Sequence, residues 1–158
     1  MVSAIILARC NSSRLSSKHF YKIGEEKIID IIIRRLLSNK LIKNIYLATG
    51  KKNENLKFKK YLDKKYKKKI EIYFHKNSNN VTERIYYLTK KIKTKYSVLI
   101  SGDCCLVDNN FIARQYHQLS KTNKDFIKSK KKLVHEGIST FKTKSWKKVY
   151  LNTKKKYQ

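Results

Sequence analysis

A run of apolar residues, Val2 to Leu7, gives way at once to a polar stretch, Ala8-Arg9-Cys10-Asn11-Ser12-Ser13-Arg14-Leu15-Ser16-Ser17-Lys18. The run has the length and apolar density of a strand buried on both faces. Such strands occur where helices cover both sides of a parallel sheet. The stretch that follows carries cations at positions 9, 14 and 18, small hydroxyl and amide side chains between them, and no carboxylate. A loop like this at the end of a central strand suits a triphosphate. Ser and Asn side chains and free backbone N–H groups donate to phosphate oxygens, and the Arg fork matches their geometry. The loop has neither the Gly-Lys-Ser/Thr ending of a P-loop nor the three spaced glycines of a dinucleotide fingerprint.

Strands and helices then alternate along the chain. Phe20 to Lys27, with Gly24 inside it, reads as a turn. Ile28 to Leu37 carries Ile28, Ile29, Ile32, Ile33, Leu36 and Leu37 at helical spacing. Asn44 to Thr49 reads as a second strand stopped by Gly50, and Asn53 to Tyr66 as a helix with Phe58, Tyr61, Leu62 and Tyr66 on one face. Ile70 to Phe74 is a third strand. After the polar loop Asn77-Ser78-Asn79-Asn80, Asn80 caps a helix with Glu83 three residues on, and Val81, Ile85, Leu88 and Ile92 form its buried face. Tyr96 to Ile100 is a fourth strand that runs into Ser101-Gly102-Asp103-Cys104-Cys105. Asp108 suits the N-cap of a helix through Tyr116 and Leu119 better than it suits a metal. Asp125 to Lys128 reads as a short strand and Lys128 to Lys132 as a basic hairpin or loop. His135 to Lys142 reads as an edge strand, and Ser145 to Leu151 as a last helix anchored by Trp146 and Val149. The alternation predicts an α/β fold with a mostly parallel central sheet between helices, and ligands at the C-terminal ends of its strands. It divides into a single domain over residues 1–151 and a basic, frayed tail over 152–158.

The loop after the first strand resembles the N-terminal signature of the cytidylyltransferases that make CMP-activated acid sugars. These are the CMP-Kdo and acylneuraminate synthetases and their spore-coat polysaccharide relatives, with the pattern Ala-Arg-x-x-Ser-Ser/Thr-Arg-Leu-Pro-Gly-Lys. The chain keeps Ala8, Arg9, Ser12, Ser13, Arg14, Leu15 and Lys18, and has Ser16 and Ser17 where Pro-Gly is usual. Gly102 to Asp108 is similar to the family's Gly-Asp-x-Pro-Leu-Ile/Val-Asp at the end of the strand beside the first, with Cys105 in place of Pro. The resemblance implies a Rossmann-like three-layer nucleotide-diphospho-sugar-transferase fold. It implies transfer of CMP from CTP to a Kdo- or nonulosonate-like acidic sugar, with release of pyrophosphate, for surface polysaccharide such as lipopolysaccharide. It makes Arg14, Lys18 and Asp103 catalytic, with Asp103 also holding Mg²⁺. It assigns Ala8, Arg9, Ser12, Ser13, Arg14, Lys18, Arg84, Ser101 and Gly102 to the nucleotide. His135, Glu136 and Gly137, in a segment similar to the His-x-Gly-Ile/Leu-Tyr of CMP-Kdo synthetases, would face the sugar, although Ser139 stands where Tyr is usual. Gly102 would let the backbone come close to the ligand. Glu83 and Arg84 match the family's acid-Arg pair near the nucleotide and fit equally a capping Glu and a surface Arg. Gly50 stands where the family often has Asp. Family members usually run longer, with a later segment that supplies a second metal carboxylate and dimer contacts; Glu136 is the nearby candidate in its place.

The net charge of +28, from 39 Lys and Arg against 11 Asp and Glu, taken alone suggests nucleic acid or an anionic membrane surface. Only six of the cations are Arg, Pro is absent and Gly occurs four times, while Lys, Ile, Asn and Tyr abound. AT-rich codons produce that composition whatever the function, so the triplets Lys67-Lys68-Lys69, Lys130-Lys131-Lys132 and Lys154-Lys155-Lys156 read as solvated surface. Two rivals to the enzyme stand: a nucleotide-binding remnant without turnover, and a basic nucleic-acid module, for which no recognised motif is present. No run of 18 apolar residues predicts a transmembrane helix, and the N-terminus lacks the basic region of a signal peptide. Cys10, Cys104 and Cys105 sit at no metal spacing, which reads as a reduced, cytoplasmic protein. Cys10, beside Arg9 and Arg14, is either a thiol of lowered pKa or a tolerated substitution. The expected partners are CTP and an acidic sugar, with a homodimer left open and neither membrane nor nucleic acid engaged.

Overall fold

The computed structural model describes residues 1–12, 15–128 and 137–156; Ser13, Arg14, His135 and Glu136 lie outside the described residues. In chain order the elements are β1 (Val2–Leu7), β2 (Lys22–Ile23), β3 (Glu26–Lys27), α1 (Ile28–Leu37), β4 (Ile42–Thr49), α2 (Lys52–Tyr66), β5 (Glu71–Phe74), α3 (Val81–Thr89), β6 (Tyr96–Ser101), α4 (Asn109–Ser120), β7 (Phe126–Lys128), β8 (Ile138–Lys142) and α5 (Trp146–Lys156). Six strands form one sheet in the order β5-β4-β1-β6-β8-β7. β1, β4, β5 and β6 are parallel, and β8 runs antiparallel to both β6 and β7.

The core follows from side-chain alternation along β1. Val2, Ala4 and Ile6 face Ile29, Ile32, Ile33 and Leu36 of α1, Phe58 and Leu62 of α2, and Ile112 and Leu119 of α4. Ile5 faces the other way, toward Ile85 and Leu88 of α3, Phe141 of β8 and Trp146 of α5. The chain winds outward from β1 through α1, β4, α2 and β5 over one face. It returns through α3 over the other face to β6, on the opposite side of β1. The strand order therefore reverses between β1 and β6, and the ends of those two strands form the crevice where open α/β sheets bind ligands.

Several expectations change in detail. Phe20 to Lys27 holds the two-residue hairpin strands β2 and β3, turning at Gly24 with φ +60°. β8 is not an edge strand; β7 pairs antiparallel along its outer side, from Phe126 opposite Phe141 to Lys128 opposite Ser139. α3 ends at Thr89, and Ile92 is buried in the turn beyond it. α5 continues to Lys156, where a frayed tail was expected from Asn152. No Gly or Pro follows Leu151 to stop it, and Thr153 turns its hydroxyl onto the Val149 carbonyl at 2.8 Å. Asp108 does cap α4, accepting from the N–H groups of Asn110 and Phe111 at 2.8 and 3.2 Å.

α1 and α2 are tied together by one carboxylate. Asp30, 3% exposed, accepts hydrogen bonds from Tyr61 Oη at 2.6 Å, Tyr66 Oη at 2.8 Å and Lys65 Nζ at 2.7 Å. Burial pushes its carboxyl up, but the Lys65 and Tyr donors outweigh burial and hold it below the ordinary carboxylate range. A depressed folded value stabilises the fold above the unfolded value near 3.9, and that contribution is lost as the pH falls through the folded value.

α2 in turn holds the loop that leaves β1. Asn55 is wholly buried near the start of α2 and departs from helical backbone, at φ −126°. Its side chain accepts from the Cys10 N–H at 2.8 Å and donates to the Lys51 carbonyl at 2.8 Å. The Cys10 carbonyl accepts from Ser17 N–H at 2.8 Å, which closes the loop. Ser17 itself has φ 52° and ψ 25°, the left-handed region where the family signature has Gly. A Cβ in that region costs on the order of 1 kcal/mol.

Two measurements test these ties. Asp30→Asn should destabilise the protein by about 1–3 kcal/mol at pH 7, because three donors lose their anionic acceptor. In urea titrations from pH 7 downward, the gap from wild type should close below about pH 4; a gap constant to pH 2 would show that Asp30's ionisation contributes nothing. Ser17→Gly should raise stability by about 0.5–1 kcal/mol, and Ser17→Val should lower it by at least as much. A Gly variant less stable than wild type would show that the serine hydroxyl outweighs the backbone strain.

Candidate nucleotide site

β1 and β6 end side by side, with Leu7 in register with Ser101. Beyond that pair the Gly102 N–H donates to the Leu7 carbonyl at 2.8 Å. A Cβ on Gly102 would sit 2.6 Å from that oxygen and 2.9 Å from Ala8 Cβ. The close approach of the two strand ends is by itself enough to require glycine here. Gly50 has a similar cause: a Cβ there would meet Ser78 Oγ at 2.2 Å.

Between the strand ends lies a cavity of about 330 Å³. Of the residues expected to bind nucleotide, Ala8, Arg9, Ser12, Lys18, Arg84, Ser101 and Asp103 line it. Gly102 is not in the lining but lies between Ser101 and Asp103, which are. The Gly137 carbonyl accepts from the Ser101 N–H at 2.9 Å, and a Cβ on Gly137 would lie 3.1 Å from Ser101 Cβ and Cys104 Cβ, so the residue expected at the sugar adjoins the same strand end. Ser13, Arg14, His135 and Glu136, being outside the described residues, are not placed. Leu7, His19 and Val81 also line the cavity and were not anticipated; only the position of His19 directly after Lys18 signalled it.

Among the described residues, the cations Arg9, Lys18 and Arg84 and the carboxylate of Asp103 line this space. Arg9 donates from Nη1 to Asn79 Oδ1 at 2.8 Å. Lys18 pairs with Asp103, and Ser101 Oγ donates to the same carboxylate. Burial raises the Asp103 carboxyl, but the Lys18 and Ser101 donors and the Lys18 charge bring it down to about 2, so it is ionised at neutral pH. Arg84, on the first turns of α3, is 3% exposed, and its Nε and Nη1 have no hydrogen-bond partner among the described residues. Burial, then the charge of Arg9, lowers its guanidinium to about 10, which still leaves it charged at pH 7. α3 is held from behind by α5, where Trp146 Nε1 donates to the Thr82 carbonyl at 3.1 Å. Asn80 accepts from the Glu83 N–H at 2.9 Å as expected of a cap, so Arg84 is a buried cation and not the surface Arg that was its alternative.

His19 is 3% exposed and donates from Nδ1 to the Gly102 carbonyl at 2.7 Å. Burial keeps its pKa below the ordinary value, against the Gly102 carbonyl that favours the charged form. Cys10 is also buried, and burial pushes its thiol up, against the Lys57 charge and the Ser17 hydroxyl. A low-pKa nucleophile at position 10 is thereby corrected to a protonated structural thiol.

A larger hollow of about 600 Å³ lies at the opposite pole, among the N-terminal ends of the strands near Asn44, Glu71 and Tyr96. Its lysines, Lys43, Lys91, Lys93 and Lys95, are exposed, and none of the buried polar atoms that lack partners belongs to it. The 330 Å³ cavity has two of those atoms, both on Arg84. Of the two hollows, it is the one whose described lining holds buried cationic donors without a partner.

Among the described residues no helix is long and apolar enough to cross a membrane. The chain is 28% identical over 157 residues to an uncharacterized protein of Methanocaldococcus jannaschii, covering 99% of this chain and 63% of that one. Its fold is similar to the structure of a cytidylyltransferase from Leptospira borgpetersenii, with a TM-score of 0.80, 21% identity, and coverage of 94% of this chain and 63% of that one. It is similar also to CMP:2-keto-3-deoxy-manno-octonic acid synthetase complexed with CTP, with a TM-score of 0.70 at 12% identity over 94% of this chain and 76% of that one. The chain thus spans 63% of the length of the archaeal relative and of the Leptospira protein. The family model described as cytidylyltransferase matches residues 3–158, and with the strand-end crevice and its cations in place, the chain belongs to the cytidylyltransferase family.

Proposed function

We propose that the protein transfers CMP from CTP to an acidic sugar of the Kdo or nonulosonate class and releases pyrophosphate. The observation that carries this is Arg84: an ionised guanidinium, 3% exposed, unpartnered at Nε and Nη1 among the described residues and lining a cavity shared with Arg9 and Lys18. An unpaired buried charge costs several kcal/mol, and sites that bear that cost are completed by an anion. A phosphate oxygen fits the guanidinium fork, and two further cations match the charge of a triphosphate. In the reaction a sugar hydroxyl oxygen bonds to the α-phosphorus and loses its proton to water, the bond from that phosphorus to the bridging oxygen of the β-phosphate breaks, and pyrophosphate leaves with the electron pair. The protein's part is to align the two reactants and neutralise charge on the leaving group. Lys18, Arg9 and Arg84 serve that end, and Arg14 joins them in the family signature. The sugar follows from the resemblance of the His135–Gly137 segment and from Gly137 adjoining Ser101.

Magnesium fits Asp103, the carboxylate that lines the cavity among the described residues. Mg²⁺ is commonly held by one or two carboxylates with substrate phosphates and water completing its shell. Asp103, ionised and in the cavity, would hold it; no group of three or more His, Cys, Asp or Glu side chains suited to a metal occurs among the described residues. Bound there, the ion would supply Lewis-acid neutralisation of phosphate charge. Asp103 is paired with Lys18 in the meantime, which keeps an unshielded carboxylate from repelling the phosphates.

Pyrophosphate release measured with each of the four nucleoside triphosphates, Mg²⁺ and a panel of acidic sugars tests the activity. Release with CTP and an acidic sugar, and with no other pairing, is the expected result; CTP binding without release in any mixture would reduce the protein to a nucleotide-binding one. Arg84→Met should raise stability by about 1–3 kcal/mol by removing an unpaired buried charge, and should weaken CTP binding at least about tenfold. A variant that loses stability would make Arg84 structural. Asp103→Asn should fold normally and bind CTP with no gain from Mg²⁺; wild-type Mg²⁺ dependence in that variant would remove Asp103 from the metal's shell.

A further inference from the structure

We propose that His19 is a positioning residue that locks the end of β6 to the loop after β1, so that Lys18 and Asp103 can part without losing their places. The proposal rests on the reading of Lys18 and Asp103 as groups that handle the nucleotide. Lys18 and His19 are neighbours in a 3-10 turn, Lys18–Phe20, and they grip neighbours in the other strand's exit. Lys18 Nζ takes the Asp103 carboxylate, and His19 Nδ1 takes the Gly102 carbonyl at 2.7 Å.

The two grips differ in what a ligand does to them. The Lys18–Asp103 pair is partly exposed, with side-chain exposures of 26% and 45%, and both of its charges are wanted by a triphosphate and its counter-ion. It opens when the ligand arrives. The His19–Gly102 bond joins a neutral N–H to a backbone carbonyl, and the ring is 3% exposed against Phe58, with ring centroids 5.7 Å apart. Although the ring also lines the cavity, its Nδ1–H is already committed to the Gly102 carbonyl, and a neutral donor attracts a phosphate far less than the neighbouring cations do. The Gly102 N–H is engaged on the other side, with the Leu7 carbonyl at 2.8 Å, so this peptide is held from both strands. A Cβ at 102 would lie 3.0 Å from His19 Cε1, which shows how closely the ring is seated.

The variants His19→Leu, which fills the space without a donor, and His19→Asn, whose amide places a donor where Nδ1 stands, separate positioning from packing. Amide hydrogen exchange of ligand-free protein is read at Gly102 and at Val98 in mid-β6, and CTP affinity by calorimetry with Mg²⁺. In the Leu variant, exchange at Gly102 should quicken about tenfold with Val98 unchanged, CTP affinity should fall about tenfold, and Asn should restore both. If the Leu variant does not fold, Asn is compared with Gln, whose donor sits one bond too far: Asn should match wild type and Gln should show both losses. Unchanged exchange at Gly102, equal quickening at Val98, or a loosened Gly102 with intact CTP affinity would each overturn the proposal. Wild-type protein that binds no CTP would overturn the nucleotide reading and the ligand role of His19 with it, whereas the exchange pattern would still show whether the latch exists.

Discussion

The parallel pairing of β1 with β6 is the constraint on which the molecule depends. It sets Leu7 opposite Ser101 and brings the next peptide of one strand onto the last carbonyl of the other, at 2.8 Å. No side chain fits at that crossing, so position 102 is glycine. Arg9 and Lys18 hang from one of these ends, and Ser101 and Asp103 from the other. α3, which returns the chain from the outer strands to β6, brings Arg84 in from the opposite layer. The crevice is a consequence of winding direction, since it exists wherever strand order reverses in such a sheet.

Supporting contacts behind the crevice keep it in shape, and most are neutral or shielded. Asn55 holds the first loop through Cys10, Trp146 holds the first turn of α3, and Asp30 clamps α2 to α1 so that Asn55 stays in place. The charged groups that face the cavity are left partly unsatisfied by comparison. Arg84 has open donors, and Lys18 and Asp103 neutralise each other across the strand ends. That division of labour matches a site whose electrostatics are completed by a polyanion while its backbone stays fixed.

Much of this was legible in the residues, because burial periodicity and strand-end motifs are local signals. The apolar run of β1, the helical stripe of α1 and the Gly102-Asp103 ending of β6 each declared themselves. Element ends were harder to read, for a reason visible in the composition. The chain has only four glycines and no proline, and it places Ser17, Lys67 and Lys68 at positive φ where punctuation by glycine is usual. α2 ends at Lys67 in the left-handed region, and α5 runs on because nothing stops it. The interior place of β8 depends on β7 pairing outside it, a long-range fact with no local mark. His19 escaped notice because its role is set by a carbonyl 83 residues away. Arg84 was undecidable between surface and site until the packing of α3 against β1 and α5 showed it buried.

The central claim is that the strand-end cavity is an anion site completed by the phosphates of a nucleotide. A crystal structure of the protein grown with CTP and Mg²⁺ tests it most directly. The account predicts phosphate oxygens within hydrogen-bond distance of Arg84 Nε and Nη1, with the Lys18 ammonium moved off Asp103 toward the phosphates. A nucleotide bound with its phosphates outside this cavity, or with Arg84 still unpartnered beneath them, would contradict it.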